Sequence, residues 1–253
     1  MSLAYWNGRL VPGDEVRIGL GDSAFLEDGL FETLRVENGK AGDVEAHLDR
    51  LFAGLERIGI SEDREALTDA VMAVAEGAPS PIARMRITVT RETRLITTAL
   101  YTPPSGPVSA ILLPEPWVHS RSPLAGLKSL SYQANRLALR RAEEKGAFEA
   151  LLLNEHGRLV EGSRSNVILV LPDGVFTPPE EDGCLPGTVR RRLLERGEIA
   201  ERSLSPEDLQ RASEVLLTNS LIGVLAVGWI DGRALTPIPS PSRTPGPPGE
   251  GGV

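Results

Sequence analysis

One lysine in this chain has surroundings that suit chemistry at its amine. Only three of the 27 basic residues are lysines, and Lys40 and Lys145 lie in a turn and at a charged helix end, where solvent exposure explains them. Lys128 lies instead between Leu127 and Leu130, ahead of an amphipathic segment. Burial in apolar surroundings disfavours the charged form of a lysine amine, which makes the amine nucleophilic near neutral pH. These residues alone leave two interpretations open, an ordinary surface lysine and a lysine that bonds to an aldehyde cofactor.

A lysine of the second kind typically holds pyridoxal 5′-phosphate (PLP), which makes further demands on a protein. The pyridine nitrogen needs an acidic partner, for which Glu161 in VEGSRSN is the candidate, with a solvated turn acid as the alternative. The phosphate needs donors, and helix N-termini with small residues provide them. LPGTVRR offers such a start at Thr188 and Val189, and the TNS loop that ends at Ser220 offers a second. Arg50 lies off the apolar stripe of its helix and can add a charge-assisted contact.

The pattern also predicts the elements that must position these residues. Asn-Gly pairs in WNGR and ENGK indicate two hairpins near the N-terminus. From Asp43, apolar residues three and four apart predict a helix that Gly59 ends, and Ser61 is the predicted cap of a second helix. ARMRITVTR alternates as a strand that finishes in Arg91, a position that either reaches solvent or binds a ligand.

The second half of the chain mixes strands and helices in the same way. Residues 131–145 are predicted to form a helix, and its inward positions are Ala134, Leu137, Ala138 and Ala142. FEALLLN and SNVILVL are predicted strands, a helix begins near Gly187, and Ser205 caps a further helix. The order of these elements is not a regular βαβ alternation, which favours an α+β fold.

Proline-rich segments divide the chain. TPPSGP and PEPWVHSRSPL flank a strand and indicate a crossing between two domains. We predict an N-terminal domain at 1–107, an interdomain connection at 108–122 and a PLP-binding C-terminal domain at 123–235. The tail at 236–253 is rich in proline, glycine and small polar residues and is predicted to be disordered.

The overall composition argues against several classes of function. A formal net charge of −8 and a pI near 5.1 argue against general binding to nucleic acid or anionic membranes, so a small-molecule amine is the expected partner. The N-terminus lacks a signal-peptide pattern and no apolar run reaches spanning length, so we expect a cytoplasmic protein. The single cysteine, Cys184, excludes an internal disulfide, and the three scattered histidines predict no metal site.

The order of the motifs resembles that of the fold-type IV PLP enzymes. LEDGLFETLRVENGK, HLDRL, KSLSYQANRLA, EGSRSNVIL, LPGTVRR and LLTNSLIGV follow one another between Trp6 and Arg233. That family contains 4-amino-4-deoxychorismate lyases, branched-chain aminotransferases and D-amino-acid aminotransferases. The resemblance implies an α+β fold like that of D-amino-acid aminotransferase, with a smaller α/β N-terminal domain and a larger β-barrel-like C-terminal domain around the cofactor. It also implies a homodimer in which the second subunit borders the substrate.

The resemblance assigns a role to each matching residue. Lys128 corresponds to the lysine that bonds to PLP, Glu161 to the acid on the pyridine nitrogen, and Arg50 of HLDRL to the arginine on the phosphate. The other cofactor contacts that it implies are Asn166, Thr188, Val189 and Ser220.

Some positions depart from the patterns of individual subfamilies. Branched-chain aminotransferases have a tyrosine five residues after the lysine, where this chain has Gln133, and a glycine where it has Thr33. The strand arginine of D-amino-acid aminotransferases matches Arg91, but Glu92 replaces the glycine that follows. Thr33 and Arg91 are therefore candidates for contacts with the substrate only. KSLSYxxN and the threonine of FETLR are more similar to the lyases.

These motifs support one leading hypothesis and two alternatives. The leading one is a lyase that converts 4-amino-4-deoxychorismate to 4-aminobenzoate and pyruvate in folate biosynthesis. The first alternative is an aminotransferase that acts on branched-chain or D-amino acids and 2-oxo acids. The second is a non-catalytic binding protein on the same scaffold, against which the joint presence of Lys128, Glu161 and Arg50 argues.

Overall fold

Two β-sheets organise residues 3–235, the part of the chain that the computed structural model describes. The tail at 236–253, predicted to be disordered, lies outside the described residues. The strands of the first sheet are β1 (Leu3–Trp6), β2 (Arg9–Pro12), β3 (Gly29–Glu37), β4 (Lys40–Ala41), β5 (Ile82–Thr90) and β6 (Arg94–Leu100). They lie in the order β2-β1-β6-β5-β3-β4, and every neighbouring pair is antiparallel.

The two predicted hairpins are present in this sheet. Asn7 and Gly8 both have positive φ between β1 and β2, and Asn38 and Gly39 do so between β3 and β4. Two consecutive residues with positive φ fit the twist of a two-residue hairpin turn, and asparagine and glycine tolerate that backbone best.

Helices α1 (Val44–Arg57) and α2 (Arg64–Glu76) cover one face of this sheet. The core between them consists of apolar residues from both helices and from β3 and β5, including Leu34, Leu48, Leu51, Leu67, Val71, Met85 and Ile87. The predicted cap of the second helix was wrong, because Asp63 and not Ser61 occupies that position. The Asp63 carboxylate accepts the Ala66 N–H at 3.1 Å, as an N-cap does.

Nine strands form the second sheet. They are β7 (Val108–Val118), β8 (Glu149–Asn154), β9 (Leu159–Gly162), β10 (Asn166–Leu171), β11 (Gly174–Thr177), β12 (Ala200–Glu201), β13 (Glu214–Asn219), β14 (Gly223–Ile230) and β15 (Arg233–Ala234). The order is β12-β11-β10-β13-β14-β7-β8-β9, with β15 paired to β14. Only residues 163–165 separate β9, at one end of this order, from β10 near the other end. The sheet therefore curls back on itself, and the predicted α+β fold with a barrel-like C-terminal sheet is confirmed.

The strand predicted between the two proline-rich segments is present within the connection at 108–122. Residues 108–118 form β7, which lies inside the second sheet between β14 and β8. Pro114 and Pro116 interrupt the regular pairing of β7 with β8, because proline lacks the N–H that a ladder needs. The division of the chain into domains stays a prediction.

Three helices accompany the second sheet, α3 (Gln133–Glu144), α4 (Thr188–Glu195) and α5 (Pro206–Arg211). The predicted cap Ser205 is confirmed, because its side chain and that of Asp208 form a reciprocal capping box. In α3, Ala138 and Ala142 are buried as predicted, but Ala134 and Leu137 are exposed. A helix that contacts the sheet along one narrow stripe buries fewer positions than its apolar pattern suggests. Among the described residues, no helix is long and apolar enough to span a membrane.

A short segment before α3 joins the two sheets. The Phe31 N–H donates to the Lys128 carbonyl and the Leu130 N–H donates to the Gly29 carbonyl, both at 2.9 Å, so residues 128–130 pair with β3. This pairing holds Lys128 at the junction between the sheets.

Candidate active site

A cavity of about 200 Å³ opens at this junction. Six of the predicted site residues line it: Arg50, Lys128, Glu161, Asn166, Thr188 and Ser220. They come from α1, the junction segment, β9, β10, α4 and the turn after β13, so the fold brings together positions up to 170 residues apart (220 − 50).

Lys128 is the amine of the cavity. Its Nζ lies 4.7 Å from the ring centroid of Phe31 and 5.8 Å from that of Tyr132. Burial lowers the pKa of Lys128 to about 8, and the positive charge of Arg50 contributes in the same direction. A substantial fraction of this amine is therefore neutral and nucleophilic near physiological pH.

Glu161 is the acid of the cavity. Burial raises the pKa of its carboxyl to about 7, while the Leu185 N–H, which donates to Glu161 Oε2 at 2.9 Å, opposes this rise. A buried carboxyl with such a pKa gains most from a cationic partner, since the pair then shares the cost of leaving water.

A buried acid, Glu32, holds Arg50 at the other end of the cavity. Arg50 donates from Nε and Nη2 to the two Glu32 oxygens at 2.7 Å, and from Nη1 to the Pro186 carbonyl at 2.8 Å. His47 Nδ1 lies 2.7 Å from Glu32 Oε2. Although burial raises the pKa of Glu32, the Arg50 charge and the His47 and Arg50 hydrogen bonds outweigh it and hold that pKa at about 2. Glu32 is thus a carboxylate that fixes the direction of the Arg50 guanidinium.

The N-terminus of α4 faces the same end of the cavity. Gly187 is its N-cap and provides no side-chain cap, so the first N–H groups of the helix remain available to an anion. A Cβ at Gly187 would lie 1.9 Å from Asn166 Oδ1, so only glycine fits there. Asn166 also donates from Nδ2 to the Leu185 carbonyl at 2.8 Å, which ties β10 to the loop ahead of α4.

Three of the predicted contacts lie differently. The Val189 side chain is buried away from the cavity lining, which leaves its backbone N–H in the first turn of α4 as its means of contact. Thr33 is not on the lining, and its carbonyl accepts the Ser220 hydroxyl at 2.5 Å. Arg91 follows the end of β5, is exposed, and donates to Asp28 and to the Gly59 and Ile58 carbonyls. Within this chain Arg91 does not reach the cavity.

A tyrosine lies in the site although Gln133 occupies the position at which branched-chain aminotransferases have one. Gln133 is exposed at the start of α3, whereas the residue before it, Tyr132, lines the cavity and donates from its hydroxyl to the Ser163 carbonyl at 2.8 Å. Burial raises the pKa of Tyr132, so its phenol stays protonated. The spacing of five residues between lysine and tyrosine in branched-chain aminotransferases leads to Gln133 and not to Tyr132. That spacing holds only where the turn between the lysine and the helix has the same length.

An arginine and two aromatic rings lie beside Lys128. The Arg86 guanidinium carbon is 3.8 Å from the Phe31 ring centroid, and the Phe31 and Tyr132 rings meet edge to face at 5.3 Å. Burial lowers the pKa of Arg86, with the positive charge of Arg84 as a smaller cause. A partly desolvated guanidinium stacked on a ring is suited to binding a carboxylate.

Sequence reasoning missed Glu32, His47, Tyr132 and Arg86. Two of them have a signal in the pattern. Glu32 is a charge at an inward position between Leu30 and Leu34, and His47 lies three residues before Arg50 on the same helix, where the two side chains are neighbours.

The cavity has the features of a site in a PLP-dependent enzyme. They are the Arg50 guanidinium, the uncapped N-terminus of α4, the lowered pKa of Lys128 and the buried acid Glu161. Comparison with known proteins agrees. The model of the family described as Amino-transferase class IV matches residues 29–230, so the chain belongs to that family.

Relatives of this family carry names from both candidate reactions. A bifunctional aminodeoxychorismate lyase / D-amino acid transaminase of Mycobacterium tuberculosis is 31% identical over 85% of this chain and 87% of its own. A putative branched-chain-amino-acid aminotransferase of Methanocaldococcus jannaschii is 28% identical over 91% of this chain and 88% of its own. The solved structure of a hypothetical aminotransferase from Mycobacterium tuberculosis, in a PLP-bound form, is similar with a TM-score of 0.82, 26% identity and 94% coverage of both chains.

The enzyme uses PLP, as this family does, and the residues of the cavity fit that cofactor. PLP needs a lysine amine, an acid beside its pyridine nitrogen and donors for its phosphate. The candidates for these three roles are Lys128, Glu161, and Arg50 together with the N-terminus of α4. The glycine at 187 allows the close approach of Asn166, and the helix start has no side-chain cap, so its first N–H groups are available to a phosphate.

The lowered pKa of Lys128 predicts an unusual pH dependence of its reactivity. Without PLP, acylation of Lys128 by a water-soluble amine reagent should rise with pH through a midpoint near 8, because the neutral amine is the nucleophile. Peptide mass spectrometry after brief labelling between pH 6 and pH 11 measures this, with the exposed Lys40 and Lys145 as internal references. A Lys128 midpoint at or above 10 would contradict the site described here.

The buried pair of Glu32 and Arg50 predicts a pH-dependent loss of stability. Glu32 has a lowered pKa, so its contribution is complete above its ordinary value of 4.5 and is lost as pH falls towards 2. Glu32→Gln should lower the free energy of unfolding at pH 7 by about 3–5 kcal/mol, since it leaves a buried cation unpaired. Urea unfolding at pH 7 and pH 3 measures both effects, and the difference between wild type and variant should shrink at pH 3.

The matched control for this experiment is Glu45→Gln on α1. Glu45 forms an exposed ion pair with Arg64, for which we expect a loss of about 0–1 kcal/mol at either pH. Equal losses of unfolding free energy in the two variants would show that the buried ion pair stabilises the protein no more than the exposed one does.

Proposed function

We propose that this enzyme converts 4-amino-4-deoxychorismate to 4-aminobenzoate and pyruvate. The observation that carries the proposal is the group beside Lys128, in which Arg86 and the Phe31 and Tyr132 rings lie together. The substrate is an amine with a six-membered ring and two carboxylates. Tyr132, which lines the cavity, offers an aromatic surface for the ring, and Arg86, stacked on Phe31 outside the lining, offers a positive charge for a carboxylate. The similarity to a relative named for both lyase and transaminase activity supports the same choice.

The residues of the cavity have distinct roles in this proposal. PLP, when bound, withdraws electrons from the substrate carbon that bears the amino group. Glu161 keeps the pyridine nitrogen protonated, and Arg50 with the α4 N-terminus and the loop at Ser220 holds the phosphate. Asn166 ties the strand that follows Glu161 to this helix start. These contacts fix the orientation of the ring relative to Lys128.

Lys128 is the residue that moves protons. Its neutral amine removes the proton from the amino-bearing carbon of the substrate, and the bond between the ring carbon and the ether oxygen of the enolpyruvyl group then breaks. The ring becomes aromatic, which drives the step. Lys128 returns the proton to the methylene carbon of the departing enolpyruvate, which becomes pyruvate, so one substrate gives two products without an added amino acceptor.

The alternative is an aminotransferase that acts on branched-chain or D-amino acids and 2-oxo acids. It would use the same lysine, acid and phosphate contacts. The similarity to a relative named as a putative branched-chain-amino-acid aminotransferase favours it. We further propose that the enzyme is cytoplasmic and that, as the lyase, it acts in folate biosynthesis.

An assay with both substrate classes tests the proposed reaction. PLP-loaded enzyme given 4-amino-4-deoxychorismate alone should release 4-aminobenzoate and pyruvate in equal amounts, as measured by chromatography. Lys128→Ala should lower this rate by about 10²–10⁴-fold, the contribution of a positioned acid and base. Brisk transfer from alanine or leucine to 2-oxoglutarate, with no 4-aminobenzoate formed, would reject the lyase and support the aminotransferase.

We also propose that the enzyme is a homodimer. The segment between β2 and β3 exposes an apolar patch, defined by Ile18, Leu20, Phe25 and Leu26, with Leu20 94% and Leu26 82% exposed. Two hydrogen bonds tie this segment to the β5–β6 hairpin, a buried one from Thr90 to Asp22 and a partly buried one from Ser23 to Glu92. A rigid apolar patch of this kind is typical of an interaction surface.

Light scattering on the purified enzyme tests the homodimer. The wild type should have twice the 27.2 kDa mass of one chain, and Leu20→Asp/Phe25→Asp should have the mass of one chain. The control Met72→Asp places one such charge at an exposed apolar position of α2 and should leave the dimer intact. A single-chain mass for the wild type, or a dimer that survives the double substitution, would reject this interface.

A further inference from the structure

Glu149 is a fully buried acid that lies outside the cavity. It is the first residue of β8 and is 0% exposed. Its Oε1 accepts the N–H groups of Ala150 at 2.9 Å and Ser163 at 3.0 Å, together with the Ser163 hydroxyl. Its Oε2 accepts the Ser165 hydroxyl at 2.8 Å. Four donors thus converge on one carboxyl, and the two serines both belong to the turn at 163–165 between β9 and β10.

This turn borders the cofactor site on both sides. Glu161 lies two residues before it, and Asn166 follows it directly. The Ser163 carbonyl accepts the Tyr132 hydroxyl at 2.8 Å and Asn135 Nδ2 at 3.1 Å, so the turn also anchors the start of α3. A shift of the turn would therefore move the acid of the cavity and its tyrosine together.

The contact between Glu149 and the turn is close. A Cβ at Gly162 would lie 2.9 Å from Glu149 Cδ and 2.4 Å from Ser165 Oγ, so the turn packs directly on the carboxyl. Two charged groups face Glu149. Arg164 has its Nε 3.9 Å from Glu149 Oε2. The other is Glu161, whose pKa the charge of Glu149 helps to raise. Burying a carboxyl is costly, so the four hydrogen bonds that Glu149 accepts are needed to offset that cost.

We infer that Glu149 is a positioning residue of the active site: through the turn at 163–165 it fixes Glu161 and Tyr132 relative to Lys128. Glu149 does not line the cavity. The inference depends on the PLP site, which is common to the lyase and the aminotransferase, and so holds for either reaction.

Binding of PLP to the enzyme freed of cofactor tests this inference. Glu149→Leu removes the acceptor for all four donors and should weaken PLP binding about tenfold, since the acid and the tyrosine then lose their fixed positions. It should also change the visible absorption maximum of the PLP-loaded enzyme. Glu149→Gln should stay within about twofold of wild type, because the amide oxygen replaces Oε1 and the Ser165 hydroxyl can rotate to accept from the new NH₂ group.

A matched control separates positioning from ordinary stability. Thr177 is also 0% exposed in the second sheet, and its hydroxyl donates to the Val167 carbonyl at 2.8 Å without contact to the turn. Thr177→Val should lower the melting temperature and leave the PLP affinity and the absorption maximum unchanged. If Glu149→Leu lowers the melting temperature but also leaves affinity and spectrum unchanged, the inference is overturned.

A double-mutant cycle tests the path through Tyr132. In a Tyr132→Phe background, Glu149→Leu should weaken PLP binding by less than it does in wild type, because one of the two anchored groups is already absent. Fully additive effects would overturn the path.

A milder variant covers the case in which Glu149→Leu does not fold. Ser163→Ala removes one of the four donors at a residue that does not line the cavity, and it keeps the carboxyl and the Ser163 carbonyl. It should weaken PLP binding in the same direction by a smaller factor. Unchanged PLP affinity in this variant would also overturn the inference.

Discussion

Two hydrogen bonds between β3 and residues 128–130 set the geometry on which the rest of the structure depends. They place the Lys128 carbonyl opposite Phe31 and the Leu130 N–H opposite Gly29, so the lysine lies where the two sheets meet. β3 contributes Phe31 under the amine and Glu32 on its other face, next to α1. One strand therefore positions an apolar surface for Lys128 and an anchor for Arg50, because neighbouring residues of a strand point to opposite faces.

The electrostatics of the site follow from this geometry. The amine and the acid are both desolvated, which lowers the pKa of Lys128 to about 8 and raises that of Glu161 to about 7. Arg50 is different, because its partner Glu32 is ionised inside the protein. The cavity thus combines a charge that is fixed with two groups that can exchange protons, which is what a cofactor with a phosphate at one end and a titrating ring at the other requires.

The sequence predicted the parts of the site that local patterns encode. Lys128 stood out by rarity and apolar neighbours, the α4 start by its small residues, and the motif order implied the α+β fold. Glu32 and Glu149 were missed because a buried acid is recognised by its partners, which lie 18 and 14 residues away for Arg50 and Ser163. Their roles are visible only once the chain is folded. Tyr132 was missed because spacing along the chain is a poor guide across a turn. The strand between the two proline-rich segments was predicted and is present as β7, although it continues through Pro114 and Pro116.

We propose that the amine of residue 128 carries the cofactor. Reduction of the PLP-loaded enzyme with borohydride, followed by proteolysis and mass spectrometry, tests it directly. The peptide containing Lys128 should gain the mass of one reduced cofactor, and peptides with Lys40 or Lys145 should not. Cofactor mass on either of those two lysines, with Lys128 unmodified, would contradict it.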